Sequence, residues 1–276
     1  SAALVIEGGA KGTISDKTTI NLTGERTVAG VVDGQAHQLN GNTQGNATST
    51  TLTSNAKITS EASGNKVIAY VARNLGNLIL DTKSIIDLAS VDSIGVDVQK
   101  GGSLTNNSSL ALHVSNGIGV RASGSSAQIN KLGKIQVDDG TAGVLLTQGA
   151  SLLINGMTGD SITTDGSADG IRLAEGAGAL AAQSVMIRAD GTGAGIQNDA
   201  NNTNITLRDV TIDSNDGPGI RTSVALTMND GLNNILNVNG KGTGFAFEQR
   251  NGDAVTGNLT IGKGYTIEVL NSEGSG

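Results

Sequence analysis

Short apolar stretches with a two-residue alternation recur along most of this 276-residue chain, separated by turns rich in Gly, Asn, Asp, Ser and Thr. Phrases opening on Gly and a large apolar residue start at Gly95 (GVDV), Gly117 (GIGV), Gly143 (GVLL), Gly170 (GIRL), Gly195 (GIQN), Gly219 (GIRT) and Gly244 (GFAF). Their intervals are 22, 26, 27, 25, 24 and 25 residues. A second row of apolar-x-apolar triplets begins at Ile86, Leu112, Ile135, Ile162, Val185, Val210 and Leu236 and keeps step with the first. Between the two lies a third short apolar segment, such as SLTNN at 103–107, SLLIN at 151–155 and TNITL at 203–207. Alternation with period two sends successive side chains to opposite faces, as a strand does and a helix does not. A degenerate period of 22 to 27 residues with three strands in each predicts an all-β fold. The specific expectation is a right-handed parallel β-helix, a single-stranded solenoid of about ten coils with three short strands per coil.

Stacked coils satisfy backbone groups that would otherwise be lost to the interior, each strand pairing with the coil above and the coil below at ~4.8 Å. Ile171 is then expected over Val144 and under Ile196. The Gly before each of these residues is expected to supply a positive φ or to let the turn pass close to its neighbours. Residues 1–65 keep the flavour of the repeat but lose its register, and predict irregular early coils or a cap, with an extended loop near 35–50. Residues 66–270 predict the regular coils, the last of them carrying an insertion around GNLTIGKGY, and 271–276 a flexible tail; no second domain is visible.

Composition sharpens this picture. The core must be aliphatic, because Tyr70, Phe245, Phe247 and Tyr265 are the only aromatic residues. There are 41 Gly and one Pro, which fits many tight turns and excludes collagen-like or proline-rich chains. Cysteine is absent, so disulfides and thiolate metal sites are excluded. No apolar run approaches the roughly 20 residues of a membrane helix and no signal segment opens the chain, which reads as a mature or excised soluble piece. A net charge of −7 disfavours nucleic acid and anionic membranes as partners.

Candidate chemistry is sparse. β-Helix enzymes that process polysaccharides set clustered carboxylates with Arg, Lys or His outside one strand row. Here the histidines are His37 and His113, and the one adjacent carboxylate pair, Asp138-Asp139, lacks an NTD, GHG or RIK motif beside it. Glycine phrases such as GAGAL and GTGAG lack the GKS or GKT of a phosphate loop, and no tandem calcium nonapeptide occurs, so neither a cofactor nor a metal is expected. The most suggestive surface feature lies in the turns before the Gly-Ile phrases: VDDGTAG, TTDGSADG, RADGTGAG and IDSNDGPG. Stacking would align Asp138, Asp139, Asp165, Asp169, Asp190, Asp213 and Asp216 into an acidic ridge over four coils, a candidate strip for an extended basic or polar segment. Arg172, Arg188 and Arg221 are expected nearby. Turn chemistry alone also explains these Asp residues. A second candidate is a polar row including Gln136, Thr163, Thr211 and Asn237, suited to self-association between two rods.

With the coils placed, the chain resembles the passenger domains of autotransporter adhesins of Gram-negative bacteria, the pertactin-like and AIDA-like group. The resemblance rests on the degenerate period, the GIRL, GVDV and GIGV phrases, the Asn/Thr/Gly-rich coils and the lack of Cys, over about residues 65–270. It implies a rod exported through the periplasm and displayed at the cell surface, carried in the full-length protein by a C-terminal membrane β-barrel. It also implies adhesion to a host matrix protein, fibronectin-like or similar, or to a glycan, or self-association in aggregation and biofilm, without enzymatic activity. The protease members' GDSGS motif does not occur here. A polysaccharide-processing enzyme and a plain spacer are the competing expectations.

Overall fold

The apolar rows turn inward and stack coil on coil. In the computed structural model, which describes residues 1–38, 40–249, 252 and 254–270, the strands form three parallel sheets of ten strands each, and no helix occurs among the described residues. Sheet I runs from Ala2–Glu7 to Phe245–Phe247 and holds the Gly-Ile phrases. Sheet II runs from Lys11–Ile14 to Leu259–Ile261, and sheet III from Thr19–Leu22 to Tyr265–Val269. The chain visits the three sheets in turn, so neighbours within a sheet belong to successive coils and interior strands are paired on both edges. At ~4.8 Å per coil the rod is roughly 45 Å long.

Val144 pairs with Ile171 and Ile171 with Ile196, as the repeat requires. In sheet III the inward column is Leu112, Ile135, Ile162, Ile187, Ile212, Leu236 and Ile267. The triplets at Val185 and Val210 were therefore placed two residues early, and Ile187 and Ile212 are the column members. Burying an Ile, Leu or Val side chain contributes about 1.5–3 kcal/mol, and such inward columns on all three sheets build the core.

The Gly phrase also needs one correction. Val96 pairs with Val120, which puts Gly119 rather than Gly117 in the column with Gly95 and Gly143. The members of this column lie outside the positive-φ region, so close approach is what demands Gly. A Cβ on Gly143 would sit 2.2 Å from Cγ2 of Ile162 and 2.8 Å from the carbonyl oxygen of Gly170. Sheet I thus bends inward against the Ile column of sheet III.

Residues 1–65, read from the sequence as irregular, hold two coils that pair in the same three sheets. Their register was obscured by an excursion after Asp33, where Ala36–His37 and Thr43–Gln44 form an antiparallel hairpin outside the coil. It is tied back by His37 Nδ1, 3.0 Å from Glu7 Oε2, and by Gln35 Nε2 donating to the carbonyls of Gln44 and Gly45. At the other end the last coil does carry extra residues, because Leu226 pairs with Leu259, 33 residues on, whereas Ile220 pairs with Phe245, 25 residues on; the added length falls before Leu259, and Leu259–Ile261 and Tyr265–Val269 are the last strands of sheets II and III. The expected tail at 271–276 lies outside the described residues.

Candidate binding strip

Each outward position of a strand repeats one coil away, so side chains chosen by the repeat form straight polar columns. On sheet III the central column reads Asp87, His113, Gln136, Thr163, Arg188, Asp213 and Asn237. The corner that follows carries Asp138, Asp165 and Asp190, whose backbones continue the ladder through the bonds from Asp165 N to Val137 O and from Asp190 N to Thr164 O. These three residues are the part of the expected ridge whose backbones stack, one coil apart at ~4.8 Å.

The other ridge members are placed elsewhere. Asp213 lies in the central column, where its carboxylate accepts from Asn237 Nδ2 at 2.6 Å. Asp139 accepts from Gly140 N at 2.8 Å and from both the amide and the hydroxyl of Ser167, and these bonds hold its carboxyl below the usual carboxylate range. Asp216 accepts from Lys241 N. Asp169 is fully buried at the start of a sheet I strand and accepts from Ala194 N at 2.9 Å, so it cannot belong to an exposed ridge. Asp165, exposed, accepts from the adjacent Gly166 N at 2.7 Å, which is the turn chemistry expected of it.

Of the three arginines expected nearby, only Arg188 is in the strip, its Nε 2.6 Å from Asp190 Oδ1. Arg172 and Arg221 stand on sheet I, where they bond Asp199 and Gln197. Thr211 leaves the proposed self-association row too, since it pairs with Met186 in a different column from Gln136, Thr163 and Asn237. Arg188, Asp190, Asp213, Ser214, Asn215 and Asn239 line a shallow depression of about 360 Å³ at the end of the strip.

A cluster missed from the sequence sits at the other end. His113 bridges two coils, Nδ1 2.7 Å from Asp87 Oδ1 and Nε2 2.8 Å from Asp138 Oδ2, while Gln136 Nε2 donates to the other oxygen of Asp138 at 2.9 Å. With a carboxylate beside each ring nitrogen, the imidazolium is the form that can donate to both, and the arrangement favours it. Partial burial opposes that charge, but hydrogen bonds and attraction to Asp138 and Asp87 outweigh it and raise the His113 pKa. Burial likewise opposes ionisation of Asp138, and the bonds from Gln136 and His113 outweigh it and lower that pKa. Its signal was present in the middle residues of the IDL, LHV and IQV triplets, which stack outward.

No significant match to this chain is found among protein-family models, curated proteins or solved structures. Its function must be argued from this surface.

The sign of the His113 shift gives a first expectation. A raised histidine pKa stabilises the fold below its unfolded value and loses that contribution as pH rises through the folded value. The lowered Asp138 pKa stabilises above its unfolded value and loses its contribution as pH falls through the folded one. The clamp is therefore fully present over roughly pH 4 to 6.5. His113→Ala should cost about 1 kcal/mol in that window. Thermal unfolding of the two proteins as a function of pH should show their difference shrinking on the alkaline side.

Proposed function

We propose that this chain is a non-catalytic, surface-displayed adhesive rod that engages an extended polar segment of a matrix glycoprotein or glycan along sheet III and its acidic corner. The observation that carries this reading is the strip itself: stacked donors and acceptors running along the axis, ending in a depression that offers Arg188, Asp190 and Asn239 together. Repeating polar columns match a repeating partner, and wet polar faces suit reversible binding. The partner class is cationic or neutral rather than sulfated, given the net charge of −7.

A polysaccharide-processing enzyme is the competing reading, and the juxtaposition of His113 with Asp138 is what favours it. Catalytic proton transfer needs a group free to take or give a proton to substrate. Here both ring nitrogens of His113 are held by carboxylates, and Asp138 is engaged by His113 and Gln136. Lateral self-association through the same strip remains the alternative partner chemistry.

The test is binding to an immobilised panel of matrix proteins and glycans by the wild type and by an Asp165→Ala/Asp190→Ala variant with an unchanged circular dichroism spectrum. Saturable, salt-sensitive binding that weakens at least about tenfold in the variant supports the strip. Equal binding by both proteins, or none across the panel, overturns the reading.

A further inference from the structure

Two columns stand side by side on the outer face of sheet I, in the middle of the rod. One is Asp97, Arg121 and Leu145, joined by direct pairing; the other is Gln99, Ser123 and Thr147, two residues further along the same three coils. Lys100 and Gln148 follow at the corner that leads to sheet II. A cavity of about 530 Å³ lies over these coils, and every one of these residues except Asp97 lines it. That volume falls in the range of small-molecule sites, roughly 300–1,000 Å³.

The sign of the lining sets this cavity apart. The chain carries a net charge of −7, yet the walls hold two cations and no carboxylate. Asp97 is fully buried and is already matched by Nε and Nη2 of Arg121. That contact leaves the Nη1 edge of the guanidinium uncommitted among the described residues. Lys100 is exposed and has no ion-pair partner among them, and the hydroxyls of Ser123 and Thr147 and the amide of Gln148 make no side-chain hydrogen bond there. Leu145 is the one apolar side chain in the lining.

These groups select a ligand class. A guanidinium edge beside an ammonium matches a carboxylate. Amide and hydroxyl groups repeating at ~4.8 Å match the hydroxyls of a sugar ring, and Leu145 offers a surface to its C–H face. A bare inorganic anion would leave the polar column unused, and an apolar ligand would bury the cations unpaired.

We propose that this corner of sheet I binds a sugar carboxylate, a hexuronate residue of an acidic glycan, with the carboxylate at Lys100 and Arg121 and the hydroxyls along Gln99, Ser123 and Thr147. The site does not depend on the adhesive reading, because none of its residues belongs to the strip on sheet III.

Titration calorimetry with tetragalacturonate and with its fully methyl-esterified form tests this. The acid should bind saturably and the ester at least about tenfold more weakly, since esterification removes the charge that the two cations meet. Lys100→Glu, a change at an exposed side chain, should weaken binding of the acid by a similar factor. Ser123→Ala/Thr147→Ala should weaken acid and ester alike. The proposal is overturned if the acid does not bind, if the ester binds equally well, if Lys100→Glu binds as the wild type does, or if acetate at the same concentration displaces the sugar. None of these outcomes bears on binding through Asp165 and Asp190, so the two readings fail separately.

Discussion

Arg121→Ala is expected to destabilise the protein by about 3–5 kcal/mol, a large effect for one side chain that is itself partly exposed. Its partner Asp97 is fully buried on sheet I, one coil away. Arg121 Nε lies 2.9 Å from Asp97 Oδ1 and its Nη2 2.7 Å from Oδ2, and Gln99 Nε2 donates to Oδ2 at 2.8 Å. This two-pronged contact compensates a carboxylate withdrawn from water. Truncating Arg121 removes that compensation and leaves the charge in place. The double change Asp97→Leu/Arg121→Leu removes both members and should recover most of the loss. Urea unfolding of the wild type, the single variant and the double variant checks the expectation; equal losses in single and double variants would show that packing, not the pair, is at stake.

Tyr70→Ala should cost a comparable amount, about 3–5 kcal/mol, through the cavity it leaves. Tyr70 is among the largest fully buried side chains, in a core otherwise built of Ile, Leu, Val and Ala with Met228. Room for the ring comes from Gly30 in the adjacent coil, where a Cβ would lie 2.7 Å from the ring atoms. The hydroxyl meets Ser54 Oγ at 2.7 Å, so the buried oxygen is satisfied. Tyr70→Phe should lose only about 1 kcal/mol, because Ser54 Oγ still accepts from Ala56 N. Gly30→Ala should destabilise the wild type but do little harm in the Tyr70→Ala background. Such coupling is expected of groups in contact and would vanish if the two sites were independent.

The architecture was legible because one side-chain position, once inward, recurs inward in the next coil, and the aliphatic rows carry that information redundantly. What the sequence concealed was register at the level of single residues. Aligning GIGV on Gly117 instead of Gly119 moved Arg121 out of the column of Asp97, and the buried pair disappeared from view. In the correct column Asp97, Arg121, Arg172, Gln197 and Arg221 all stand on the outer side of sheet I. The early coils were hidden for a different reason: the hairpin after Asp33 lengthens one period, so a fixed-interval search loses step there. As for the acidic ridge, similar turn sequences do not ensure similar placement. Asp138, Asp165 and Asp190 follow the third-sheet strand directly and stack, whereas Asp169 belongs to the next strand and is buried.

Because the chain enters at one end of the solenoid and leaves at the other, tension applied through its termini loads the coils in series. Strands lie across the axis and the bonds between coils lie along it, so force is met by one terminal interface at a time. Each coil that peels away frees about 25 residues and lengthens the chain by roughly 80 Å. The rod would therefore extend in discrete steps of similar size, dissipating work coil by coil while the remaining columns stay packed.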